Sequence, residues 1–197
     1  MEAGGREGET VRIGLVEDHP VVGVGLREQL RSEPGWDLVH VYRSVSEVDL
    51  GDPGLDVVLL DLRLDDGTSP GDNIAVLHEH GIPVLAYTAG EDPGLLRAAA
   101  RAGILGIVRK SEDVTVLLRS IRCALRGEMV ATTEWAAAID GDAAIAEARL
   151  TQRELEVLAL YASGETAAGV ATILEISPEN VAGDLAAIRT KYSLRAG

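Results

Sequence analysis

Several residue types are rare or missing in this chain of 197 residues. It contains no phenylalanine, a single cysteine and only 3% aromatic residues. One cysteine, Cys123, excludes intramolecular disulfides and zinc sites built from several cysteines. No apolar run approaches the ~20 residues that a membrane-spanning helix needs, so we expect no membrane partner.

Positive charge is scarce as well. The chain has 18 basic and 32 acidic side chains, a formal net charge of −14, which argues against a general nucleic-acid binder. Residues 1–10 are polar and acidic and lack the apolar core of a signal peptide. We therefore predict a disordered lead-in over 1–10 and a cytoplasmic protein.

Residues 11–127 alternate short apolar runs with amphipathic stretches. Runs rich in Val, Leu and Ile, which are typical of strands covered on both faces, lie at 11–16, 37–42, 55–60, 83–87 and 104–108. Stretches that predict helices lie at about 20–32, 44–49, 71–80, 92–102 and 113–126. Five such units predict an α/β fold with a doubly wound, five-stranded parallel sheet of order 2-1-3-4-5.

Polar side chains follow four of the predicted strands. Glu17 and Asp18 follow the first strand, Asp61 the third, Thr88 the fourth and Lys110 the fifth. The carboxyl ends of parallel strands meet at one edge of the sheet, where such folds bind ligands. Each residue alone has an ordinary explanation, such as a loop cap or a helix cap. Their conjunction favours a shared site.

The residue types at that edge predict a site for a cation and a phosphoryl group. Mg²⁺ prefers hard oxygen ligands. The predicted ligands are the carboxylates of Glu17, Asp18 and Asp61 and the backbone carbonyl of Arg63. Asp61 is the predicted phosphoacceptor, forming an acyl phosphate. Thr88 and Lys110 are predicted to bind the phosphoryl oxygens.

The segment 11–127 resembles the receiver domain of two-component response regulators, a flavodoxin-like fold. The matching residues are Glu17-Asp18, Asp61, Gly67, Thr88-Ala89 and Lys110. The resemblance implies Mg²⁺-dependent phosphotransfer from a sensor histidine kinase, and no enzyme activity beyond the receiver's own phosphorylation and dephosphorylation. Two residues depart from the family. Ile107 replaces its usual Tyr or Phe, and Asp65 stands where Pro is frequent, so coupling from phosphate to surface is expected to differ.

A haloacid-dehalogenase phosphatase is the alternative for the N-terminal segment. Those enzymes also place a nucleophilic Asp after an apolar strand, but they need a second Asp two residues later as the general acid and base. Arg63 occupies that position here and cannot exchange a proton in this way. This alternative is therefore disfavoured.

The segment 128–149 is acidic and rich in alanine. It shows no strong core pattern, and we predict a linker with a helical part around 142–149. A different pattern begins at residue 150. Thr151 and Glu154 form the sequence signature of a capping box, and Pro178 suits the first position of a later helix.

The segment 150–197 is predicted to be a small all-α domain containing a helix-turn-helix. Its helices are expected to begin at about 152, 167 and 178. The inward residues are predicted to be Leu155, Leu158 and either Tyr161 or Ala162 in the first helix. In the third helix they are predicted to be Val181, Leu185, Ile188 and Tyr192.

The motif carried by 150–158, Gly164 and 176–181 resembles the LuxR-type helix-turn-helix. With the receiver, it gives the order of a NarL/FixJ-type response regulator. This resemblance implies DNA binding, transcription control and a homodimer in the active state. The chain is expected to stop before the last helix of that domain. The candidate DNA-binding residues are Asn180, Arg189, Lys191 and Arg195.

The predicted recognition helix is poor in cations. Glu179 and Asp184 are expected to face outward with the wrong sign for phosphate, and Ala168 and Ala182 stand where relatives commonly have lysine. An alternative therefore stays open. The helix-turn-helix is then degenerate, and the protein acts through protein–protein contacts or without phosphorylation.

Overall fold

A computed structural model describes residues 10–50, 54–89, 92–130, 132–140 and 142–193. The strands are β1 (Val11–Val16), β2 (Trp36–Tyr42), β3 (Val57–Leu60), β4 (Val84–Thr88) and β5 (Gly106–Arg109). The helices that alternate with them are α1 (Pro20–Leu30), α2 (Pro70–Glu79), α3 (Pro93–Arg101) and α4 (Val114–Leu125). The remaining helices are α5 (Thr133–Asp140), α6 (Ala144–Glu147), α7 (Gln152–Ala162), α8 (Ala167–Ile173) and α9 (Pro178–Ser193).

The five strands form one parallel sheet of order β2-β1-β3-β4-β5, which confirms the predicted topology. The helix expected at 44–49 was wrong. Only one turn of 3₁₀ helix forms there, from Val45 to Glu47. Val45 and Val48 are the apolar residues that pack inward, and so short a segment gains too little burial to offset the cost of helix nucleation.

Apolar cores lie on both faces of the sheet. One core packs α1 and α4 against strand residues such as Leu15 and Leu59. The other packs α2 and α3 against strand residues such as Val58 and Ile107, and it continues through α5 into α7, α8 and α9. The C-terminal helices therefore share a core with the sheet domain.

The linker is more ordered than its sequence suggested. Helix α5 fully buries Trp135 and Ile139, which overturns the expectation of no strong core pattern. The helical part expected around 142–149 is the single turn of α6. The small alanines of α5 let the helix approach α3 closely, so that two large side chains supply a core contact.

The C-terminal domain contains the three predicted helices. The capping box of α7 is present, with Thr151 and Glu154 each accepting from the other's backbone N–H. The predicted inward residues of α9 are all buried. Leu155 was assigned wrongly, because it is 41% exposed and Val157 is buried in its place. The buried face of α7 runs through Val157, Leu158 and Tyr161. It shares Leu158 and Tyr161 with the predicted face and has Val157 in place of Leu155.

Among the described residues, no helix combines the length and the apolar character that a membrane span requires.

Candidate functional site

The polar residues at the strand ends converge as the topology predicts. Asp61 follows β3, and its backbone N–H donates to the carbonyl of Val16 at the end of β1, 2.9 Å away. Lys110 follows β5, and its N–H donates at 2.9 Å to the carbonyl of Thr88, the last residue of β4. Parallel pairing therefore sets the positions of these side chains at one edge.

Lys110 joins two buried carboxylates. Its ammonium donates to Oδ2 of Asp61 at 2.6 Å and to Oε2 of Glu17. Glu17 is 1% exposed and Asp61 is 5% exposed. Burial alone would lower the pKa of Lys110, but the hydrogen bonds to Asp61 and Glu17 outweigh it and leave that pKa raised. The lysine therefore stays charged beside the two carboxylates.

The acidic pair after β1 has further partners. Oδ2 of Asp18 accepts from the N–H of Asp65 at 3.1 Å. Oε1 of Glu17 lies 2.9 Å from both the backbone nitrogen and Nδ1 of His19. Burial raises the pKa of Asp18, but the Asp65 hydrogen bond and the nearby His19 leave it lowered. The contact with Glu17 raises the pKa of His19.

One oxygen of this pair suggests a cation ligand. Oδ1 of Asp18 is buried and forms no hydrogen bond, although Nδ1 of His19 lies 2.8 Å away. Ligand atoms of Glu17, Asp18 and His19 all lie within 4.8 Å of one another. Carboxylate oxygens gathered this closely suit a hard cation. The histidine next to the acidic pair was not among the predicted site residues.

A cavity of about 140 Å³ opens beside the phosphoacceptor candidate. The residues that line it include His19, Asp61, Arg63, Thr88 and Lys110. Arg63 lies on the turn after β3, and its backbone N–H donates to Oδ1 of Asp61 at 3.2 Å. A carboxylate oxygen, a hydroxyl and an ammonium thus line one space, which suits an incoming phosphoryl group.

The predicted DNA-binding residues of the C-terminal domain are not gathered into one exposed set. Lys191 donates to both carboxylate oxygens of Glu154 at 2.7 Å. Arg189 is half-buried, and burial lowers its pKa. Asn180 is exposed at the start of α9, and Arg195 lies outside the described residues. The described cations of α9 are thus engaged or partly buried.

Asp184 was expected to face outward, and this was wrong. It is 6% exposed and accepts two hydrogen bonds from Arg153 of α7, at 2.7 and 2.8 Å. A bidentate arginine lets the carboxylate stay charged while buried. Its partner lies 31 residues earlier, so helical periodicity could not reveal the pair.

A second polar cluster, formed by Arg101, Asp142 and Tyr192, joins three parts of the chain. Arg101 of α3 donates to both oxygens of Asp142, at distances from 2.6 to 3.0 Å. The hydroxyl of Tyr192 in α9 donates to the same carboxylate at 2.6 Å. This Asp142 cluster connects the sheet domain, the linker and the third helix of the C-terminal domain, and sequence reasoning missed it.

The Asp142 cluster lies just after the C-terminal end of α5, and a further ion pair lies near its N-terminal end. Nε of Arg109, the last residue of β5, donates to Oε1 of Glu134 at 3.1 Å. Because Lys110 follows directly, the linker helix contacts the strand that carries the candidate site's ammonium group.

Comparisons with known proteins agree with this architecture. The family model described as "Bacterial regulatory proteins, luxR family" matches residues 148–195. The nitrate/nitrite response regulator NarP of Escherichia coli is 28% identical over 203 residues, covering 96% of this chain and 92% of NarP. The response regulator RamR of Streptomyces coelicolor is 31% identical over 195 residues, covering 95% of this chain and 92% of RamR. The crystal structure of ChrA, a response regulator of a heme-sensing two-component system, is similar with a TM-score of 0.59 and 28% identity, covering 95% of this chain and 96% of ChrA.

Proposed function

Because the chain belongs to the two-component response regulators with a LuxR-type helix-turn-helix domain, we propose that a sensor histidine kinase phosphorylates it on Asp61 and that it controls transcription. The observation that carries the proposal is the contact of Lys110 with both Asp61 and Glu17. Catalysis of phosphoryl transfer depends on positioning and on charge stabilisation, and this edge of the sheet supplies both.

In the proposed reaction, an oxygen of Asp61 forms a bond to phosphorus while the phosphorus–nitrogen bond of the kinase's phosphohistidine, which is protonated on its other ring nitrogen, breaks. The products are an acyl phosphate on Asp61 and a free imidazole on the kinase. Lys110 transfers its hydrogen bond from the carboxylate to a phosphoryl oxygen, and Thr88 binds another. Both groups then stabilise the negative charge that the phosphoryl group brings.

Mg²⁺ is the proposed cofactor. Glu17, Asp18, Asp61 and the backbone carbonyl of Arg63 would hold it, and the close spacing of the ligand atoms of Glu17 and Asp18 supports this assignment. When bound, the ion neutralises charge between the carboxylates and the phosphoryl oxygens.

Phosphorylation with acetyl phosphate tests the site. Wild-type protein in Mg²⁺ is expected to show a shifted band in a phosphate-affinity gel, and Asp61→Asn is expected to show none. Asp65→Asn, the same substitution four residues later, serves as the matched control and is expected to label. Equal labelling of wild type and Asp61→Asn would overturn the assignment.

The proposed output is binding to DNA as a homodimer, promoted by phosphorylation. The LuxR-type family match supports it, and Asn180 is the exposed candidate for contacting bases. We expect fluorescence anisotropy with the protein's own upstream DNA to show tighter binding after beryllofluoride is added. With few phosphate contacts, the logarithm of the affinity should fall only shallowly with salt.

A specific observation favours a second candidate function. Lys191 is held by Glu154, Arg153 by Asp184, and Arg189 is half-buried. Few cations are thus available on the described part of the domain to neutralise DNA phosphates. If no sequence-specific binding appears at low salt, with or without beryllofluoride, the domain acts through protein–protein contacts.

A further inference from the structure

The side chain of His19 lies against the two carboxylates that follow β1. Its Nδ1 is 2.9 Å from Oε1 of Glu17 and 2.8 Å from Oδ1 of Asp18. A single ring nitrogen is therefore close to both oxygens that a cation would need in order to bridge the two side chains.

His19 already uses the hydrogen-bonding capacity of one of these oxygens. The backbone N–H of His19 donates to Oε1 of Glu17 at 2.9 Å, in addition to the contact made by the ring nitrogen. An ionised carboxylate offers about two lone pairs on each oxygen, so both lone pairs of Oε1 are occupied. The other oxygen of Glu17 accepts from the ammonium of Lys110. Coordination of an ion by Oε1 thus requires that one of the two contacts with His19 breaks.

The ring contact can break more easily than the backbone contact. His19 is the residue that precedes α1, and the turn from β1 into this helix sets the direction of its backbone N–H. The side chain of His19 is 67% exposed, so the ring can rotate into solvent without opening the apolar core. Its side chain makes no hydrogen bond that caps α1, and moving or removing the ring therefore costs the helix no cap.

The chemistry of the ring favours its departure over its becoming a ligand. Ionised carboxylates only accept hydrogen bonds, so the ring nitrogen between Glu17 and Asp18 carries the hydrogen and offers no lone pair to an ion there. Mg²⁺ prefers oxygen ligands and keeps several of its waters, whereas imidazole suits Zn²⁺, Cu²⁺ and Ni²⁺. The contact needs no charged ring, because a neutral imidazole with its hydrogen on Nδ1 also donates.

We propose that the imidazole of His19 competes with Mg²⁺ for Glu17 and Asp18, an inference that rests on the magnesium site proposed above. The ring rotates away before the ion binds both carboxylates, so the affinity for Mg²⁺ is lower than the carboxylates alone would give. Because phosphorylation of Asp61 depends on that ion, His19 sets the Mg²⁺ concentration at which Asp61 becomes reactive.

Titration of the full chain with magnesium chloride, followed by calorimetry at a single pH, measures this competition. His19→Ala is expected to bind Mg²⁺ about three to ten times more tightly than wild type, because the ion no longer displaces a paired, largely exposed ring. His80→Ala is the matched control and is expected to keep the wild-type affinity. His80 is also exposed, but its Nδ1 contacts the backbone carbonyl of Val76 in α2. Circular dichroism verifies that each variant is folded.

Proton NMR of the histidine rings shows whether the ring itself moves. Addition of Mg²⁺ to wild type is expected to shift the ring resonances of His19, which are identified by their absence from His19→Ala. The ring resonances of His80 are expected to stay in place. If those of His19 do not shift while Mg²⁺ binds, the ring is not displaced and the competition is overturned.

Asp18→Asn separates this inference from the magnesium site on which it rests, and it is expected to lose most of the affinity for Mg²⁺. If Asp18→Asn binds like wild type, or if wild type does not bind Mg²⁺, the magnesium site is overturned and the competition with it. If Asp18→Asn loses binding while His19→Ala binds as wild type or more weakly, the competition alone is overturned.

Discussion

Replacing Asp142 by asparagine tests how firmly the linker joins the two domains. The Asp142 side chain is 3% exposed and accepts hydrogen bonds from Arg101 and Tyr192. Burial alone would raise its pKa, but these hydrogen bonds hold the pKa at about 2, below the ordinary 3.8. The folded state therefore favours the charged carboxylate.

The size and the sign of the effect follow from this difference in pKa. Each pKa unit corresponds to about 1.36 kcal/mol, so the carboxylate contributes on the order of 2 kcal/mol to the free energy of unfolding at pH 7. The side chain of Arg101 is 45% exposed, and solvent screening reduces this figure. Because the folded pKa is the lower one, the contribution is fully present above 3.8 and is lost as the pH falls towards 2.

Urea unfolding followed by circular dichroism measures this contribution. The free energy of unfolding of wild type is expected to exceed that of Asp142→Asn by roughly 1–2 kcal/mol at pH 7 and at pH 5. This difference in stability should become smaller below pH 4. Asp140→Asn is the control, because Asp140 is exposed nearby in the same linker. It should change the free energy of unfolding by less than about 0.5 kcal/mol.

Two results would refute the reasoning. One is equal stability of wild type and Asp142→Asn at pH 7. The other is a gap that persists unchanged down to pH 3, which would mean that the lost charge is not its origin.

Three further predictions concern the same interface and the sheet edge. Burial and a hydrogen bond to a carboxylate raise the pKa of Tyr192 to about 12, so an absorbance titration should show an ionisation near that pH that Tyr192→Phe lacks. The stability contributed by the protonated hydroxyl should be present below pH 10 and lost towards pH 12. Trp135→Ala should lower the free energy of unfolding by about 3–5 kcal/mol, measured with urea, because the side chain is fully buried. Gly106→Ala should lower Tm, since its Cβ would lie 2.6 Å from Val130, whereas Gly25→Ala has nothing within 4 Å and should keep or raise it.

The sheet and its polar edge were predictable because both depend on local patterns. Short runs of branched residues predict buried strands, and the order of a doubly wound sheet then brings the residue after each strand to a common edge. The mutual contacts of Asp61, Lys110 and Glu17 follow from that placement. The contacts of Asp18 with His19 and with the backbone of Asp65 depend instead on the geometry of the loops that follow the strands.

The contacts between segments were not predictable from one sequence. Asp142 lies 41 residues from Arg101 and 50 from Tyr192, and no spacing rule joins residues so far apart. The packing of α5 into the core was not predicted, because its sequence holds only two large apolar residues among alanines. Asp184 appeared to be exposed because its partner, Arg153, lies on another helix.

Two ion pairs, Arg109–Glu134 and Arg101–Asp142, attach the linker at both ends. The length of the linker sets the local concentration at which the sheet domain competes with any partner of the C-terminal domain. If both ion pairs were released and the linker lost its helices, it would act as a flexible tether with a root-mean-square span of about 25 Å. It would keep the two domains near each other at a local concentration on the order of millimolar. DNA or a protein that needs the surface covered by α3 must therefore compete with a neighbour that is always present at that concentration. Each of the two ion pairs that is released makes this competition easier for the incoming partner.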